Sequence, residues 1–277
     1  IADYVNVPPE APTIHIDPDP ALSEQYLSVI VDVDSYDLDG DTVSYSYEWY
    51  RDGVITAVTG TAVPASETTK GETWTVVVTP NDGNQNGTTE SASVLILNTP
   101  PTVASVSIEP TTAYTNDILT AVPSGWYDDD TDTEAYRYQW YIGGLPILGA
   151  TNSTLAETNF AKNHVITVEV TPWDGTDLGI TVMSGALTIQ NSVPTAPGVS
   201  LTPVYPEPDD DLACSLDIVS VDADSDNIAY YYSWTVNGVP TGISSASVSA
   251  SVTNIDETWL CSASATDGTS TSAARSD

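Results

Sequence analysis

The chain has 277 residues, of which 39 are Asp or Glu and only 5 are Lys or Arg, giving a formal net charge of −34. A surface of this charge repels nucleic-acid phosphates and anionic lipid headgroups, which argues against both as partners. No run of 18 apolar residues occurs, so no membrane insertion is expected in this segment. Both the solubility of an exposed protein and the binding of divalent cations would explain the excess of acid.

Three similar junctions divide the chain. After a short segment, residues 1–5, Asn6 is followed within three residues by Pro, and the same pattern recurs at Asn98 and Asn191. The three Asn residues are 92 and 93 residues apart, which is enough chain for one small β-sandwich each. We therefore predict domains over residues 6–97, 98–190 and 191–277, with residues 1–5 as the end of a preceding or donated strand.

Within each repeat, an acidic loop leads into a strand with aromatic residues at alternate positions. In the first repeat these are Tyr45, Tyr47 and Trp49, and the corresponding tryptophans of the other repeats are Trp140 and Trp234. Alternation with a period of two residues is typical of a half-buried strand whose aromatic side chains face the core. Each tryptophan is therefore predicted to lie in a domain core.

The remaining strands follow from turn residues. A pair suited to a tight hairpin comes after each tryptophan, namely Asp52-Gly53, Gly143-Gly144 and Asn237-Gly238. A strong strand begins near Trp74, Ile166 or Trp259, and an Asp-Gly turn closes it. Seven short strands per repeat with turns every 8 to 12 residues predict an all-β fold of three tandem immunoglobulin-like β-sandwich domains.

The two cysteines fit the same fold. Cys214 lies on the second predicted strand of the third repeat and Cys261 on the sixth, on either side of Trp234, where this fold carries its inter-sheet disulfide. A disulfide implies an oxidising compartment. The alternative is a pair of reduced thiols in the core. In the first two repeats, apolar pairs replace the bridge at these positions.

The acidic residues are concentrated in corresponding loops, and they predict calcium sites. Ca²⁺ takes six to eight oxygen ligands, and Asp side chains two residues apart in a turn can converge on one ion. The loop between the second and third strands and the loop after the sixth strand share one end of such a sandwich, where the linker Asn also enters. The alternative is that Asp is simply a good, solvated turn residue. The predicted ligands are Asn6, Asp37, Asp39, Asp41 and Asp82; Asn98, Asp128, Asp130, Asp132 and Asp174; and Asn191, Asp222, Asp224, Asp226 and Asp267.

These motifs resemble the tandem immunoglobulin-like and cadherin-like (PKD-like) repeats of bacterial and archaeal extracellular surface proteins and fibres. The shared features are an Asp-rich loop before a Tyr-x-Trp strand, an Asp-Gly after the sixth strand and Asn-x-Pro linkers. The chain departs from the PKD pattern because Tyr50-Arg51-Asp52 follows Trp49 where that family has Phe-Gly-Asp. The resemblance implies a structural role outside the cell, with calcium at the domain junctions stiffening a rod.

The chain ends suggest a partner. Nine residues follow Gly268, whereas 14 lie between Gly83 and Asn98, and residues 1–5 would supply the missing length. This pattern predicts copies of the chain joined head-to-tail by strand donation; a segment cut from a longer array, or an arbitrary boundary, are the alternatives. The predicted function is a calcium-stiffened filament or surface stalk.

Other functions find less support in the sequence. The two histidines, His15 and His164, occupy unrelated positions, so we predict no enzyme. An adhesin or carbohydrate-binding module is the alternative, with Trp126, Tyr127 and Trp173 as candidates either to stack on sugar or to pack at the domain base. Asn86 and Asn152 begin N-glycosylation motifs, which also arise by chance. Glycosylation there would fit a surface location.

Overall fold

The computed structural model describes residues 5–277, so the prediction for residues 1–5 lies outside the described residues except at Val5. The fold is all-β. The first repeat forms eight strands in chain order: β1 (Thr13–Asp17), β2 (Ala21–Leu22), β3 (Leu27–Val33), β4 (Ser44–Arg51), β5 (Val54–Ile55), β6 (Ala62–Val63), β7 (Thr73–Asn81) and β8 (Glu90–Leu97).

The second and third repeats follow a similar order, except that the second has an additional strand, β16, and the third has no counterpart of β2. The second contains β9 (Thr102–Glu109), β10 (Ala113–Tyr114), β11 (Leu119–Tyr127), β12 (Ala135–Ile142), β13 (Leu145–Pro146), β14 (Thr154–Leu155), β15 (Val165–Trp173), β16 (Val182–Met183) and β17 (Leu187–Gln190). The third contains β18 (Gly198–Thr202), β19 (Leu212–Ile218), β20 (Ala229–Val236), β21 (Val239–Pro240), β22 (Ser247–Val248), β23 (Trp259–Thr266) and β24 (Arg275–Ser276). One turn of 3₁₀ helix comes before β7, β15 and β23, at Ala65–Glu67, Glu157–Asn159 and Ala250–Val252.

Each repeat places its strands in two sheets with the connectivity of an immunoglobulin-like sandwich. In the first repeat, the order β1-β3-β6 makes one sheet and β2-β8-β7-β4-β5 the other. The second repeat has β9-β11-β14 and β10-β17-β15-β12-β13, and the third has β18-β19-β22 and β21-β20-β23-β24. The predicted fold class of three tandem immunoglobulin-like domains is confirmed.

Alternation places the predicted aromatic residues in the cores. Trp49, Trp140 and Trp234 are at most 1 % exposed. Each indole N–H donates to a backbone carbonyl just before β6, β14 or β22. In the first repeat, residues from both sheets, such as Val29, Val63 and Val76, enclose this tryptophan in one apolar cluster. The predicted hairpins are also present: Asp52 and Gly53 both have positive φ angles, of 49° and 79°, which suits a primed turn.

By contacts, the chain divides into two compact units that do not coincide with the repeats. One unit contains residues 1–105 with residues 123–137 and 171–182. The other contains residues 106–122, 138–170 and 183–277. The acidic loops of the second repeat therefore belong to the same unit as the first repeat. The predicted domain boundaries at 6–97, 98–190 and 191–277 stay predictions. Across residues 5–277, no helix has the length and apolar character needed to span a membrane.

Cys214 and Cys261 form the predicted disulfide in the core of the third repeat, with Cα atoms 5.9 Å apart. The corresponding residues of the first repeat, Val29 and Val76, pack without a bond. The disulfide therefore replaces an apolar contact, and it fits an oxidising compartment.

We expect removal of this disulfide to destabilise the third repeat selectively. In the variant C214V/C261V, which has the residue pair of the first repeat, the loss should approach about 4 kcal/mol, since the bond closes a loop with a sequence separation of 47 residues. Calorimetry should show one unfolding transition moved to lower temperature and the others unchanged. Equal shifts of all transitions, or none, would contradict a local role.

Candidate functional site

A buried carboxylate begins each acidic loop. Asp37 is 5 % exposed, and its Oδ1 accepts hydrogen bonds from the backbone N–H groups of Asp39 at 2.9 Å and Asp41 at 3.1 Å. Asp128 and Asp222 are each 8 % exposed and accept from the backbone two and four residues further on in the same way. Asp is suited to this turn because its short side chain reaches the backbone that follows it.

The second Asp of each loop binds the linker. Its Oδ2 accepts from the backbone N–H of the residue after the linker Asn, at 2.6 to 2.7 Å. Each loop therefore fixes the position of the chain that enters its domain. The three donor–acceptor pairs are Val7 with Asp39, Thr99 with Asp130, and Ser192 with Asp224.

The side chain of the linker Asn forms a hydrogen bond with the Asp that directly follows β7, β15 or β23. In all three repeats, Asn Nδ2 donates to this Asp Oδ2 at 2.8 Å, and the Asp Oδ1 accepts from two backbone N–H groups of its own turn. We call each set of one linker Asn, the three Asp residues of the acidic loop and this further Asp a clamp. The first clamp comprises Asn6, Asp37, Asp39, Asp41 and Asp82; the second Asn98, Asp128, Asp130, Asp132 and Asp174; the third Asn191, Asp222, Asp224, Asp226 and Asp267.

The three clamps differ in how closely their carboxylates approach. In the second clamp, one oxygen each from Asp128, Asp132 and Asp174 lie within 4.8 Å of one another. In the third clamp the group is Asp222, Asp224 and Asp226, all three from the acidic loop. The described residues of the first clamp contain no such group, and Asp41 is exposed there. Among the described residues, only the second clamp therefore brings carboxylates of both loops into one group.

Each clamp also contains a buried carboxylate oxygen that has no hydrogen-bond donor among residues 5–277. This atom is Oδ2 of Asp37, Asp128 or Asp222, the residue whose Oδ1 organises the loop. A buried, unpartnered carboxylate oxygen is costly, and in folded proteins it usually has a donor or a cation as partner. The same atom recurs in all three repeats, which makes the loop a fitting oxygen donor set for a cation.

Two lysines, which we did not predict as site residues, reach the second and third clamps. Nζ of Lys70 pairs with Oδ2 of Asp132 and donates to Oδ1 of Asn98 at 3.0 Å. Lys162 pairs with Asp226 in the same way and donates to Asn191 at 3.0 Å. The available signal was their separation, because the two lysines lie 92 residues apart, as Asn6 and Asn98 do.

Hydrogen bonds shift the pKa values of the clamp residues. Backbone N–H of Gln85, then the Asn6 amide, lower the pKa of Asp82, and the amide of Asn191 contributes most to lowering that of Asp267. Burial would raise the pKa of Asp174, but donors from Asn98 and the backbone outweigh it, so the net shift is downward. The pKa values of Lys70 and Lys162 are raised, chiefly by their bonds to Asp132 and Asp226.

The candidate sugar-binding residues are largely occupied by protein contacts. Trp126 packs edge-on against Tyr136 at 5.6 Å, and the Arg137 guanidinium lies 5.1 Å from the ring of Trp173. Tyr127 is 62 % exposed, and its hydroxyl donates to Asp129.

The remaining candidate residues lie apart from the clamps. Asn86 and Asn152 have exposed side chains, and their glycosylation stays a prediction. His15 pairs with Asp32, whereas His164 accepts from the backbone N–H of Ala161.

Comparisons with known proteins give only distant similarities. No family model matches the chain, and no curated protein matches it. Among solved structures, it is similar to the FN1–FN3 domains of chicken CNTN1, with 11 % identity, 98 % of each chain covered and a TM-score of 0.31. It is also similar to titin domains A168–A170, with 11 % identity, 96 % of this chain and 98 % of that one covered, and a TM-score of 0.32. Three N-terminal domains of the bacteriophage RB49 Hoc protein match with 17 % identity, 96 % of each chain and a TM-score of 0.28. Because these TM-scores are below 0.5, the fold assignment rests on the strand order described above.

We expect the bond between Asn191 and Asp267 to stabilise the third repeat in a pH-dependent way. Because the folded-state pKa of Asp267 is lowered, its contribution is present above the unfolded value of about 3.9 and is lost as the pH falls below it. Asn191→Ala should therefore lower the urea midpoint at pH 7, and the difference from the unmodified chain should shrink between pH 4 and pH 2.

The control for this variant is Asn152→Ala. Asn152 is exposed, and its side chain bonds to no residue within 5–277. Urea titrations at pH 7, 4 and 2 would make the comparison. A midpoint difference for Asn191→Ala that stays constant or grows toward pH 2 would show that Asp267 is not the residue involved.

Proposed function

We propose that this chain is a structural, extracellular repeat protein whose domain junctions are held by the three clamps. The observation that carries the proposal is the repeated wiring of linker Asn, acidic loop and second-loop Asp, with nearly identical bond lengths in all three repeats. Each clamp restrains the segment that joins a domain to its predecessor. A series of domains joined in this way would act as a stiff rod, as in the stalks and fibres of bacterial and archaeal surfaces.

Calcium is the proposed ligand of the clamps. The donor set consists of carboxylate and amide oxygens, which Ca²⁺ prefers, and it includes a buried Asp oxygen that has no hydrogen-bond partner in the described part of the chain. When bound, Ca²⁺ would neutralise part of the acidic loop and draw its carboxylates together. Asp37, Asp39, Asp41 and Asp82 would hold it in the first clamp, and the corresponding residues would do so elsewhere.

The proposed location is outside the cell. The disulfide between Cys214 and Cys261 suits an oxidising compartment, where such bonds persist. Free calcium is also far more abundant there, so that even a weak site of the extracellular class, with a Kd of about 10⁻⁴ to 10⁻³ M, would be filled.

A second copy of the chain is the proposed partner, joined head-to-tail. Strand β24 covers only part of β23, and a groove of about 370 Å³ lies beside it, lined by apolar residues that include Leu201, Leu212 and Trp259. In the first repeat, Val94 and Ile96 of β8 are buried at the corresponding place. Residues 1–5 of a second copy would extend this pairing along β23, which is β-strand addition that repeats without closing.

The carbohydrate-binding alternative gains no specific support. Trp126 and Trp173 are both partly covered by neighbouring side chains and already contact Tyr136 and Arg137, respectively. We therefore retain the structural role alone.

Calcium should raise the melting temperature, and Asp37→Asn should remove the part of this shift that belongs to the first repeat. At a Ca²⁺ concentration of 100 times Kd, the expected stabilisation is about 2.7 kcal/mol per site. Without calcium, Asp37→Asn should be neutral or stabilising, since it removes a buried, unpartnered charge. Calorimetry with calcium and with chelator would measure both effects.

The matched control is Asp209→Asn, which removes one exposed carboxylate of the third repeat outside the clamps. It should keep the full calcium-dependent shift. Identical melting curves in calcium and in chelator for the unmodified chain would overturn the calcium proposal.

Strand donation predicts an effect of Tyr4. If residue 1 of one copy continues the strand after Asp277 of another, Ala2 and Tyr4 take the positions of Val94 and Ile96. Tyr4→Asp should therefore abolish concentration-dependent association in sedimentation velocity runs. Asp3→Asn, at an outward position, should leave association intact. Equal association of both variants, or a monomer at every concentration, would rule out this contact.

A further inference from the structure

Both lysines of the chain contact the side-chain amide of a linker asparagine. Lys70 and Lys162 are its only lysines. Nζ of Lys70 lies 3.0 Å from Oδ1 of Asn98, and Nζ of Lys162 lies 3.0 Å from Oδ1 of Asn191. Because a C=O bond is about 1.23 Å long, each amine nitrogen lies within about 4.2 Å of the amide carbon. A nucleophile and a carbonyl carbon are thus held together at two corresponding positions.

Strand pairing produces this contact. β7 and β8 are antiparallel, with Thr73 opposite Leu95, and three residues further along each strand the same register places Lys70 opposite Asn98. Residues that lie opposite each other in an antiparallel pair have adjacent side chains. In the second repeat, the pairing of β15 with β17 leads in the same way to the second lysine and its linker Asn. The register of the sheet therefore fixes both pairs.

Carboxylates flank the two nitrogen atoms of each pair. Asp132 contacts the ammonium of Lys70, whereas Asp174 accepts a hydrogen bond from Nδ2 of Asn98 at 2.8 Å. The same two contacts recur at the other junction. The side chains of Lys70 and Asp132 are 33 % and 24 % exposed, so the pair is partly shielded from water. Exchange of one amine for another on an amide requires such proton-accepting and proton-donating groups at both nitrogens.

We propose that Lys70 and Lys162 each form an isopeptide bond with their linker asparagine. At the first pair, Asp132 takes a proton from the ammonium, and the lone pair of Nζ then forms a bond with Cγ of Asn98. Nζ gives up a second proton, Nδ2 accepts a proton, and the Cγ–Nδ2 bond breaks. Nδ2 leaves as ammonia, which takes the remaining proton from Asp132 and departs as ammonium ion. An ammonium and a primary amide thus become a secondary amide and an ammonium ion, with no oxidant or other reactant.

Proximity and acid–base catalysis supply the rate of a reaction that is very slow between free amides and amines. Well-oriented groups within one molecule reach effective concentrations of about 10⁵ to 10⁸ M. General acid–base catalysis adds a factor of about 10² to 10⁴. In the product, the N–H of the new amide still serves as a donor to Asp132. The bond joins each domain covalently to the linker that follows it, and its formation does not depend on calcium.

Mass spectrometry of the intact, denatured chain counts the bonds. Each bond releases one ammonia, so two bonds make the chain about 34 Da lighter than its sequence with the disulfide formed. Glutamyl endopeptidase, which cleaves after Glu67, Glu72 and Glu90, should give a branched product that joins residues 68–72 to the segment beginning at residue 91. A chain that keeps its full mass after days of incubation in the folded state would overturn the inference.

Lysine variants show where the ammonia comes from. Lys70→Met and Lys162→Met should each be lighter by only about 17 Da, and K70M/K162M should have its full mass. Lys70→Arg keeps a positive charge beside Asp132, but a guanidinium is not deprotonated in proteins, so this variant should also lose one bond. Asparagine can release ammonia by cyclising on its own backbone as well. A mass deficit that persists in K70M/K162M would come from that reaction and would overturn the inference.

Two further variants test the role of the carboxylate. Asp132→Asn, which preserves the shape of the side chain, should slow formation of the first bond by about 100-fold or more and leave the second unchanged. Bond formation at the normal rate in this variant would overturn the role of Asp132. Arg275→Met, which removes an exposed cation elsewhere, should form both bonds. Near-ultraviolet circular dichroism should confirm that the variants are folded. The pH comparison of Asn191→Ala then belongs in the Lys162→Met background, where the second bond cannot form.

Discussion

Each junction depends on the hydrogen bonds that one buried aspartate accepts from the backbone of its own acidic loop. Oδ1 of Asp37, Asp128 or Asp222 receives two backbone N–H groups and so closes a tight turn of five residues. That turn places the second Asp where its Oδ2 accepts from the backbone N–H of the linker. The cost is a carboxylate that is almost withdrawn from water, with its Oδ2 unpartnered among residues 5–277. The loop geometry and this unpartnered oxygen thus arise from the same side chain.

The three repeats meet equivalent demands with different residues. In the core, the positions of the disulfide pair Cys214 and Cys261 are taken by Val29 and Val76 in the first repeat, so burial alone suffices there. In the clamps, a lysine from the preceding repeat faces the second and third acidic loops, whereas the first has none among the described residues. Repeats with one fold therefore differ in the side chains that occupy corresponding positions of the core and of the acidic loops.

Local chemistry made most of the fold predictable from the sequence. Alternation of Tyr45, Tyr47 and Trp49 places the aromatic side chains on one face, and Asp52-Gly53 permits the positive φ angles of a tight hairpin. Both signals lie within a few residues of the structure that they determine. The short strand β2, which pairs in parallel with β8, was not predicted, since two residues are too few to show any period.

The lysines were not predicted because their partners are far away in the chain. Lys70 and Asp132 are 62 residues apart and belong to different repeats, so no local pattern relates them. Only the repeat spacing could have done so, once the two lysines were compared with the three linker asparagines. The acidic loops, by contrast, could be identified because three Asp residues at alternate positions recur at the same distance before each core tryptophan.

Junctions of this kind are governed by charge and hydrogen bonding more than by apolar area. The bonds at each clamp run between carboxylates, amides, backbone N–H groups and, in two cases, an ammonium group. Apolar contacts would hold a junction regardless of the ions present, because burial of hydrocarbon depends little on them. Carboxylates placed together do the opposite: without a cation they repel each other and favour an open loop, and with one they attract it and close. In this chain Lys70 and Lys162 pair with the acidic loops of the second and third repeats, so that part of this repulsion is offset within the protein itself.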